Sequence, residues 1–465
     1  MKITINRSAL TAALLISFNI LVLAQNSTVD ERRVRAHMTF LAGDSMQGRG
    51  SGTQFEWITA EYVGSQFMQY GLEAAGDKGF DGKPGYVQTV NISRASFADS
   101  PSIKYGTTTL THGGEMVVLR TNTGAVSGNF QKSSLGETPA AGSAVFLRLK
   151  EGDDPRAVQQ ALPAMSAAGA SLIIVEETPQ WRANWANYAG RRLGYTFASP
   201  APKPSVTIII SKEAAAALSQ VAEGTRIEFG GTLAPVQTTQ TWNAIGKITG
   251  SDAQLGSEAI LLSSHLDHLG VRANAPGDDK IFNGADDDAS GTVAVIELAR
   301  LLASGKRPKR TVYFVSFGSE EAGGIGSRHF VDNLPFPKEK LIANLQWEMI
   351  GRPDAKVKPE ELWLTGYERS NLGPELAKRG AKLVQDPHPS ENFFQRSDNY
   401  TLARQGVIAH TVSSFGLHTE YHRAGDELGT IDFVHMTRSI NSMVGPIEWL
   451  INSDFRPAWL EGKRP

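Results

Sequence analysis

The sequence predicts an α/β protein: a mixed, largely parallel central sheet flanked by helices, with a smaller module inserted into it. Three observations carry that prediction. From Trp242 onward, short apolar runs alternate with helix-length segments, and strands separated by helices imply crossover connections and a parallel sheet. Between Pro101 and Gly231 the texture changes to brief strand-like runs set among Gly, Ser, Thr and Pro. The chain is also 465 residues long, more than one ordinary core organises.

In chain order, Lys2 and Arg7 precede a mostly apolar run from Ala9 to Leu21, followed by Val22-Leu23-Ala24 before Gln25. A basic start, a short apolar stretch and small residues read as a secretory signal peptide, residues 1–24. The run is short for a bilayer span of about 20 residues, so the expectation is export to the outside or the periplasm, with no membrane span after signal removal. Val34–Leu41 reads as a helix ended by Gly43-Asp44. Gln54–Tyr70, with Trp57, Ile58, Tyr62, Val63, Phe67 and Tyr70 at helical spacing, reads as a second, stopped by Gly71.

The inserted module is expected over 98–236, leaving 25–97 and 237–465 as a discontinuous main domain. Within it Met116–Leu119, Ala144–Leu147, Ser171–Val175 and Val206–Ile210 read as strands, and Pro155–Ala168 and Glu213–Val221 as helices. Pro200–Pro204 reads as a loop and Thr238–Thr241 as a polar exit linker. Beyond it, Ala259–Leu262, Thr311–Phe317, Leu341–Trp347, Glu361–Thr365 and Val407–Val412 read as strands, and Ser290–Ala303 and Leu372–Arg379 as helices.

Composition narrows the function classes. A formal charge of −2 is no electrostatic footprint for nucleic acid, and losing the signal would remove two positive charges more. There are no cysteines, so stability cannot come from disulfides, no thiol nucleophile exists, and any metal must be held by His, Asp and Glu.

In open α/β sheets the site lies beyond the C-terminal ends of the strands. After Ala259–Leu262 come His265, Asp267 and His268, in SSHLDHLG; the loop NGADDDASG carries Asp286, Asp287 and Asp288. Glu320 and Glu321 follow Thr311–Phe317, Glu348 follows Leu341–Trp347, and His418, Tyr421 and His422 follow Val407–Val412. Each element alone fits a solvated turn. Five segments converging on one rim do not, because crowded buried carboxylates cost several kcal/mol each unless positive charge offsets them. A pair of divalent cations supplies that charge, and ligands without sulfur fit zinc, manganese or cobalt. Two such ions would share a bridging carboxylate and a water, whose proton a general base must accept.

In order, the motifs His-x-Asp, Gly-Ala-Asp-Asp-x-Ala-Ser-Gly, Glu-Glu-x-Gly-x-x-Gly-Ser, acid-Met-Ile-Gly-Arg, Ser-Asp and Tyr-His-x-x-x-Asp resemble the co-catalytic dizinc aminopeptidases. That superfamily also contains glutamate carboxypeptidase, glutaminyl cyclase and the transferrin receptor. The stretches FLAGDSMQGRGSGT and AEYVGSQFMQYGLEAAG are similar to the family's lead-in, and the module at 98–236 to its inserted protease-associated (PA) domain. The resemblance implies the zinc exopeptidase fold and two Zn2+ ions. It implies His265 and Glu348 on the first ion, Glu321 and His422 on the second, and Asp287 between them. Asp286 and Asp288 would be turn and cap residues. Asp267 would orient the imidazole of His265, Glu320 would be the general base, and Tyr421 would donate to the oxyanion. The family usually has Asp where this chain has Glu348, one methylene longer.

Arg396, beside Ser397-Asp398, and His418 are further candidates for touching substrate. His268, His329 and His410 read as structural or surface residues, and Trp181, Trp185 and Tyr188 as packing in the module. The reading favoured by these residues is an exported zinc-dependent aminopeptidase acting on peptides through a metal-activated bridging water. A carboxypeptidase or dipeptidase of the same superfamily, a glutaminyl cyclase-like acyltransferase and a non-catalytic receptor-like protein are the alternatives.

Overall fold

The structure, a computed structural model, describes residues 28–465 except 80, 151–152, 154, 184, 191–192, 194, 198–202 and 236. The expected signal peptide and part of the Pro200–Pro204 loop lie outside the described residues. The chain divides into two compact units, one reaching Val90 and resuming at Gln240, the other Asn91–Thr239.

In the first unit, α1 (Glu31–Leu41) starts at Asp30, whose carboxylate accepts from the Arg32 amide, and buries Val34, His37, Met38 and Leu41. Those four positions share one helical face. Next, α2 (Gln54–Gln69) buries Ala60, Val63 and Phe67, and Glu56 as well. Seven neighbouring strands of its ten-stranded sheet are β1 (Gln237–Ile248), β2 (Ala259–His265), β3 (Thr311–Phe317), β4 (Leu341–Trp347), β5 (Leu362–Leu364), β6 (Leu383–Gln385) and β7 (Ala409–Ser413). They lie side by side in the order β6–β5–β7–β4–β2–β3–β1. The pairs β2/β3, β2/β4, β4/β7 and β5/β6 are parallel, and β1/β3 and β5/β7 antiparallel. The sheet is therefore mixed and largely parallel at its centre.

Helix α3 (Gly291–Ser304) is buried from Gly291 through Leu302, and α4 (Phe433–Asn452) buries Met436, Ile440, Met443, Ile447 and Leu450. Every residue of β2, β3 and β4 is buried. A strand covered on both faces reads as a continuous apolar run, which is why these runs stand out in the sequence. Fully burying each Val, Leu or Phe contributes about 1.5–3 kcal/mol.

Three sequence expectations need correction. Thr238–Thr241 is not a linker but part of β1, where burial reaches Thr241, Asn243 and Ala244; β-branched threonine suits extended backbone. Strand β2 runs on to His265, because the Ser263 and Ser264 hydroxyls are met inside the core by Gln346 and Ser316. Helix α4 was not expected from the sequence. Pro446 sits inside it and conceals it.

The second unit holds strands in the order 108–111, 102–105, 226–230, 125–133, 144–147, 172–176, 206–210, 116–121. Alternate residues face opposite sides. Leu172, Ile174, Ile208 and Val118 join one cluster, under the helix Lys212–Ser219, and Ile173, Val175, Ile209 and Val117 join the other. Trp181 and Trp185 are buried in the latter and Tyr188 packs against it, in line with a packing role.

Candidate metal centre

Parallel register aligns the strand ends that carry the candidate residues. His265, the last residue of β2, lies opposite Phe317 of β3, and Trp347 of β4 lies opposite Val412 of β7. The chain leaves β3 through Gly318-Ser319 into Glu320 and Glu321, and leaves β4 directly into Glu348. One edge of the sheet thus receives all of them.

Asp287 is the hub. Its Oδ1 is 3.1 Å from His265 Nε2, and its Oδ2 is 3.2 Å from His422 Nε2 and 3.7 Å from His268 Nδ1. Two sets of potential ligand atoms meet there, His265–Asp287–Glu348 and His268–Asp287–Glu321. His422 Nε2 is also 3.2 Å from Glu321 Oε1. Glu348, despite its extra methylene, offers an oxygen within the first set. Buried atoms left without a hydrogen-bond partner gather here: His265 Nε2, both ring nitrogens of His268, Glu321 Oε1 and Glu348 Oε2. Orphaned buried nitrogens facing orphaned carboxylate oxygens fit divalent cations, and the His/carboxylate donor set is one that zinc accepts.

The backbone beneath the hub is tightly fixed. Asp426 accepts from the Asp286 and Asp287 amides at 2.9 and 3.0 Å. Asp288 accepts from the amides of His265, Gly291 and Met349, and Asp286 from that of Gly351. Asp286 and Asp288 therefore tie loops together. Gly284 has φ +58°, and a Cβ there would lie 2.1 Å from the Asp287 carbonyl oxygen and 2.5 Å from His268 Cγ, so no side chain fits.

Asp267 acts differently from the expectation. The ring Nδ1 of His265 is 3.2 Å from the backbone oxygen of Asp267 and 3.8 Å from its carboxylate. That carboxylate instead accepts from Ser51 Oγ (2.6 Å) and from the amides of Glu320 (2.9 Å) and Glu321 (3.3 Å). The carbonyl orients the imidazole, and the carboxylate holds the two-glutamate turn.

Sequence reasoning also missed the segment following α1. Arg49 is 1% exposed and donates to the carbonyls of Leu41, Leu266, Asn283 and Gly284. Buried Glu56 accepts from the Gly52 and Ser319 amides and the Thr241 hydroxyl. The acid and base seeded in Arg49-Gly-Ser-Gly-Thr-Gln-Phe-Glu56 thus brace three site loops, a role that only distant contacts reveal.

The electrostatics follow from crowding. Burial, reinforced by Asp398, Glu348 and Glu321 and opposed by His265, pushes the Glu320 carboxyl well above its ordinary range. Burial also raises Glu348, to about 7. Burial opposes ionisation of Glu321 too, but His268 and His422 hold it down to about 2. For His422 burial works against the proton, yet Asp287 and Glu321 win and push it up to about 10. The Tyr421 phenol is pushed far up by burial and by Asp287 and Glu321, so it remains a hydrogen-bond donor.

Beside the hub, Glu348, Trp363, Phe393, Arg396, Phe415 and Tyr421 line one cavity. Tyr421 stacks on His422 with ring centroids 3.9 Å apart, and the Arg396 guanidinium lies 4.8 Å from the Phe393 ring centroid. His418 does not line this cavity. Its Nε2 is 3.0 Å from Asp286 and its Nδ1 3.4 Å from Glu420, so it serves the loop rather than the cleft. His410 is buried between Ser370 and the Thr365 carbonyl. His329 lies on a helix at 325–332.

Known proteins support this picture. The "Aminopeptidase" of Pseudomonas aeruginosa strain UCBPP-PA14 is 34% identical over 119 residues, 25% of this chain and 19% of that protein. Leupeptin-inactivating enzyme 1 of Streptomyces exfoliatus is 30% identical over 227 residues, 46% of this chain and 49% of that one. The matches therefore span at most about half of these relatives' length. Among solved structures, an aminopeptidase from Aneurinibacillus sp. strain AM-1 superposes with TM-score 0.57 at 18% identity, covering 92% of this chain and 95% of that one. It shares the mixed α/β fold. The model of Peptidase family M28 itself matches residues 243–444, the stretch that carries every candidate ligand.

Proposed function

We propose that this chain is an exported zinc-dependent metallo-exopeptidase of aminopeptidase type, holding two Zn2+ ions, with the 98–236 module a PA-type domain. The observation that carries the reading is the pair of His/carboxylate clusters sharing Asp287, with a further carboxyl, Glu320, on the same turn as Glu321. His265, Asp287 and Glu348 would hold one ion, and Asp287, Glu321 and His422 the other. When bound, such a pair polarises a peptide carbonyl and lowers the pKa of a shared water.

The chain's own groups do the rest. Glu320 takes the proton from the attacking water and passes it to the leaving amine, and the crowding that keeps it basic suits that task. Tyr421, protonated and facing the cavity, donates to the oxyanion. The Asp267 carboxylate fixes the backbone from which Glu320 projects. The aromatic walls of the cavity take the side chain of the residue being released. No helix among the described residues is long and apolar enough to cross a membrane.

Arg396 gives a second reading its footing. A guanidinium on the cavity wall suits a substrate carboxylate, as a carboxypeptidase or dipeptidase would require. Profiling peptides with free and acetylated N-termini separates the two. Cleavage confined to free-amine peptides is expected, and cleavage of acetylated ones alone would overturn the aminopeptidase assignment. A Glu320→Gln variant tests the mechanism: it should keep its metal and lose most turnover on aminoacyl p-nitroanilides.

A further inference from the structure

The loop after β7 carries Tyr421 and His422, yet its own backbone does little to hold it. Gly416, Leu417, Thr419, His422, Arg423 and Gly425 are exposed. Among the described residues, backbone hydrogen bonds from this stretch close on the loop itself. The amides of Tyr421, Arg423 and Asp426 donate to the carbonyls of His418, Glu420 and Arg423, and that of Glu427 to Gly425. Side chains must therefore fasten the loop to the rest of the protein.

His418 is the fastening nearest its start. Its Nε2 is 3.0 Å from Asp286 Oδ2, its side chain is 9% exposed, and its ring meets Phe415 edge-on with centroids 4.9 Å apart. Its Nδ1 lies 3.4 Å from Glu420 Oε2, an oxygen that also accepts from Arg352 at 3.0 Å. Asp286 is itself fixed, because its Oδ1 accepts from the Gly351 amide at 2.7 Å. Leu417, just before His418, has φ +59°, a conformation that a leucine keeps only where its surroundings impose it.

Tyr421 stands between this fastening and the hub. Its ring packs on Phe415 at 5.2 Å and stacks on His422 at 3.9 Å, so Phe415 is held between His418 and Tyr421. His422 refers the loop to Asp287 and His418 refers it to Asp286, the preceding residue. Both fastenings thus end on one short piece of backbone, the one whose two amides Asp426 holds.

We propose that His418 is a positioning residue: through Asp286 and Phe415 it sets the direction in which Tyr421 presents its hydroxyl to the oxyanion. It touches neither substrate nor metal, and this task replaces the substrate contact expected from the sequence. The proposal rests on the donor role given to Tyr421 above.

Steady-state kinetics of the zinc-loaded full chain on aminoacyl p-nitroanilides, with zinc content measured alongside, test it. His418→Ala should lower kcat about 10–100-fold, the range for a group that orients another, with KM little changed and zinc at the wild-type level. His418→Gln places an amide nitrogen near the position of Nε2 and should recover most of that loss. In a Tyr421→Phe chain, which has no hydroxyl to aim, adding His418→Ala should lower kcat little further, since residues acting through one group are not additive. Unchanged kcat in His418→Ala, loss of zinc from it, or an equal further fall in the Tyr421→Phe background would overturn the proposal. If His418→Ala does not fold, a folded His418→Gln with the full loss of kcat and the same loss in the Tyr421→Phe background would overturn it too. Wild-type kcat in Tyr421→Phe would instead bring down the donor role of Tyr421, and this proposal with it.

Discussion

Two glutamate pairs leave parallel strands in this molecule, and they do opposite things. Glu176-Glu177 ends the strand 172–176 in the second unit. There Glu177 is buried, but the chain supplies its counter-charge: Arg182 Nε is 2.6 Å away and the Lys212 amide donates at 3.2 Å. Glu320-Glu321 follows β3 in the first unit, where Glu321 faces two histidines and Asp287, and Glu320 faces Asp398 and Glu348. No lysine or arginine forms an ion pair with either glutamate among the described residues. A buried carboxylate must be compensated by something: for Glu177 the protein provides the opposite charge, and for Glu320 and Glu321 it provides no Lys or Arg among the described residues, a charge that the proposed metal centre would supply.

The comparison is broken most severely by paired substitutions. Glu320→Gln should lower kcat by roughly 10²–10⁴-fold, the usual worth of a general base, with metal content unchanged. Glu177→Gln should leave kcat alone and cost about 1–2 kcal/mol of stability, read by thermal unfolding. Activity loss in the second variant and none in the first would reverse the assignment.

Stripping the metal sharpens it further. A ligand present at about 1,000 times its Kd stabilises by about 4 kcal/mol. Calorimetry with chelator should therefore lower the unfolding temperature of the first unit and leave that of the second where it was. Equal shifts in both would contradict a site built only from first-unit residues.

Asp267→Asn keeps the shape but loses one acceptor of the turn amides. A 10–100-fold fall in kcat is expected, typical for a group supporting a metal site, with a smaller change in Zn2+ affinity measured by chelator competition. A larger effect on affinity than on kcat would assign the carboxylate to His265 after all.

The smallest effect is a pH dependence away from the centre. Burial lowers His410 from 6.5 to about 4, with the Thr365 carbonyl opposing. The unfolded chain therefore binds this proton first, and the stability from neutral burial is complete above about pH 6.5 and lost as pH falls toward 4. The slope is up to about 1.4 kcal/mol per pH unit. Denaturant unfolding of wild type and His410→Asn across that window should show a shallower acid slope in the variant.

Much of the fold was legible because strands covered on both faces declare themselves as unbroken apolar runs: Thr311–Phe317, Leu341–Trp347 and Val206–Ile210 begin and end where the sequence suggests. Strand β1 was not, since its first half is polar, and α4 was hidden by Pro446. The site was legible as a set of motifs. Its internal wiring was not. Nothing local says that the Asp267 carbonyl and carboxylate serve different neighbours, that His418 turns to Asp286, or that Arg49 reaches four carbonyls as many as 235 residues away.

By itself the sequence determined that no thiol takes part, and that histidines and carboxylates follow successive strands in an order that resembles the dizinc aminopeptidases. Those are properties of residue type and spacing. Which of those groups meet was decided only by tertiary structure. The parallel register brings His265, Phe317 and the end of β4 to one edge, and the burial of that edge leaves histidines and carboxylates close enough to hold a metal ion. His268 is the clearest case: three residues from His265 it is one more histidine in a loop, and only the packing of Gly284 and the approach of Glu321 and Asp287 make it part of the centre.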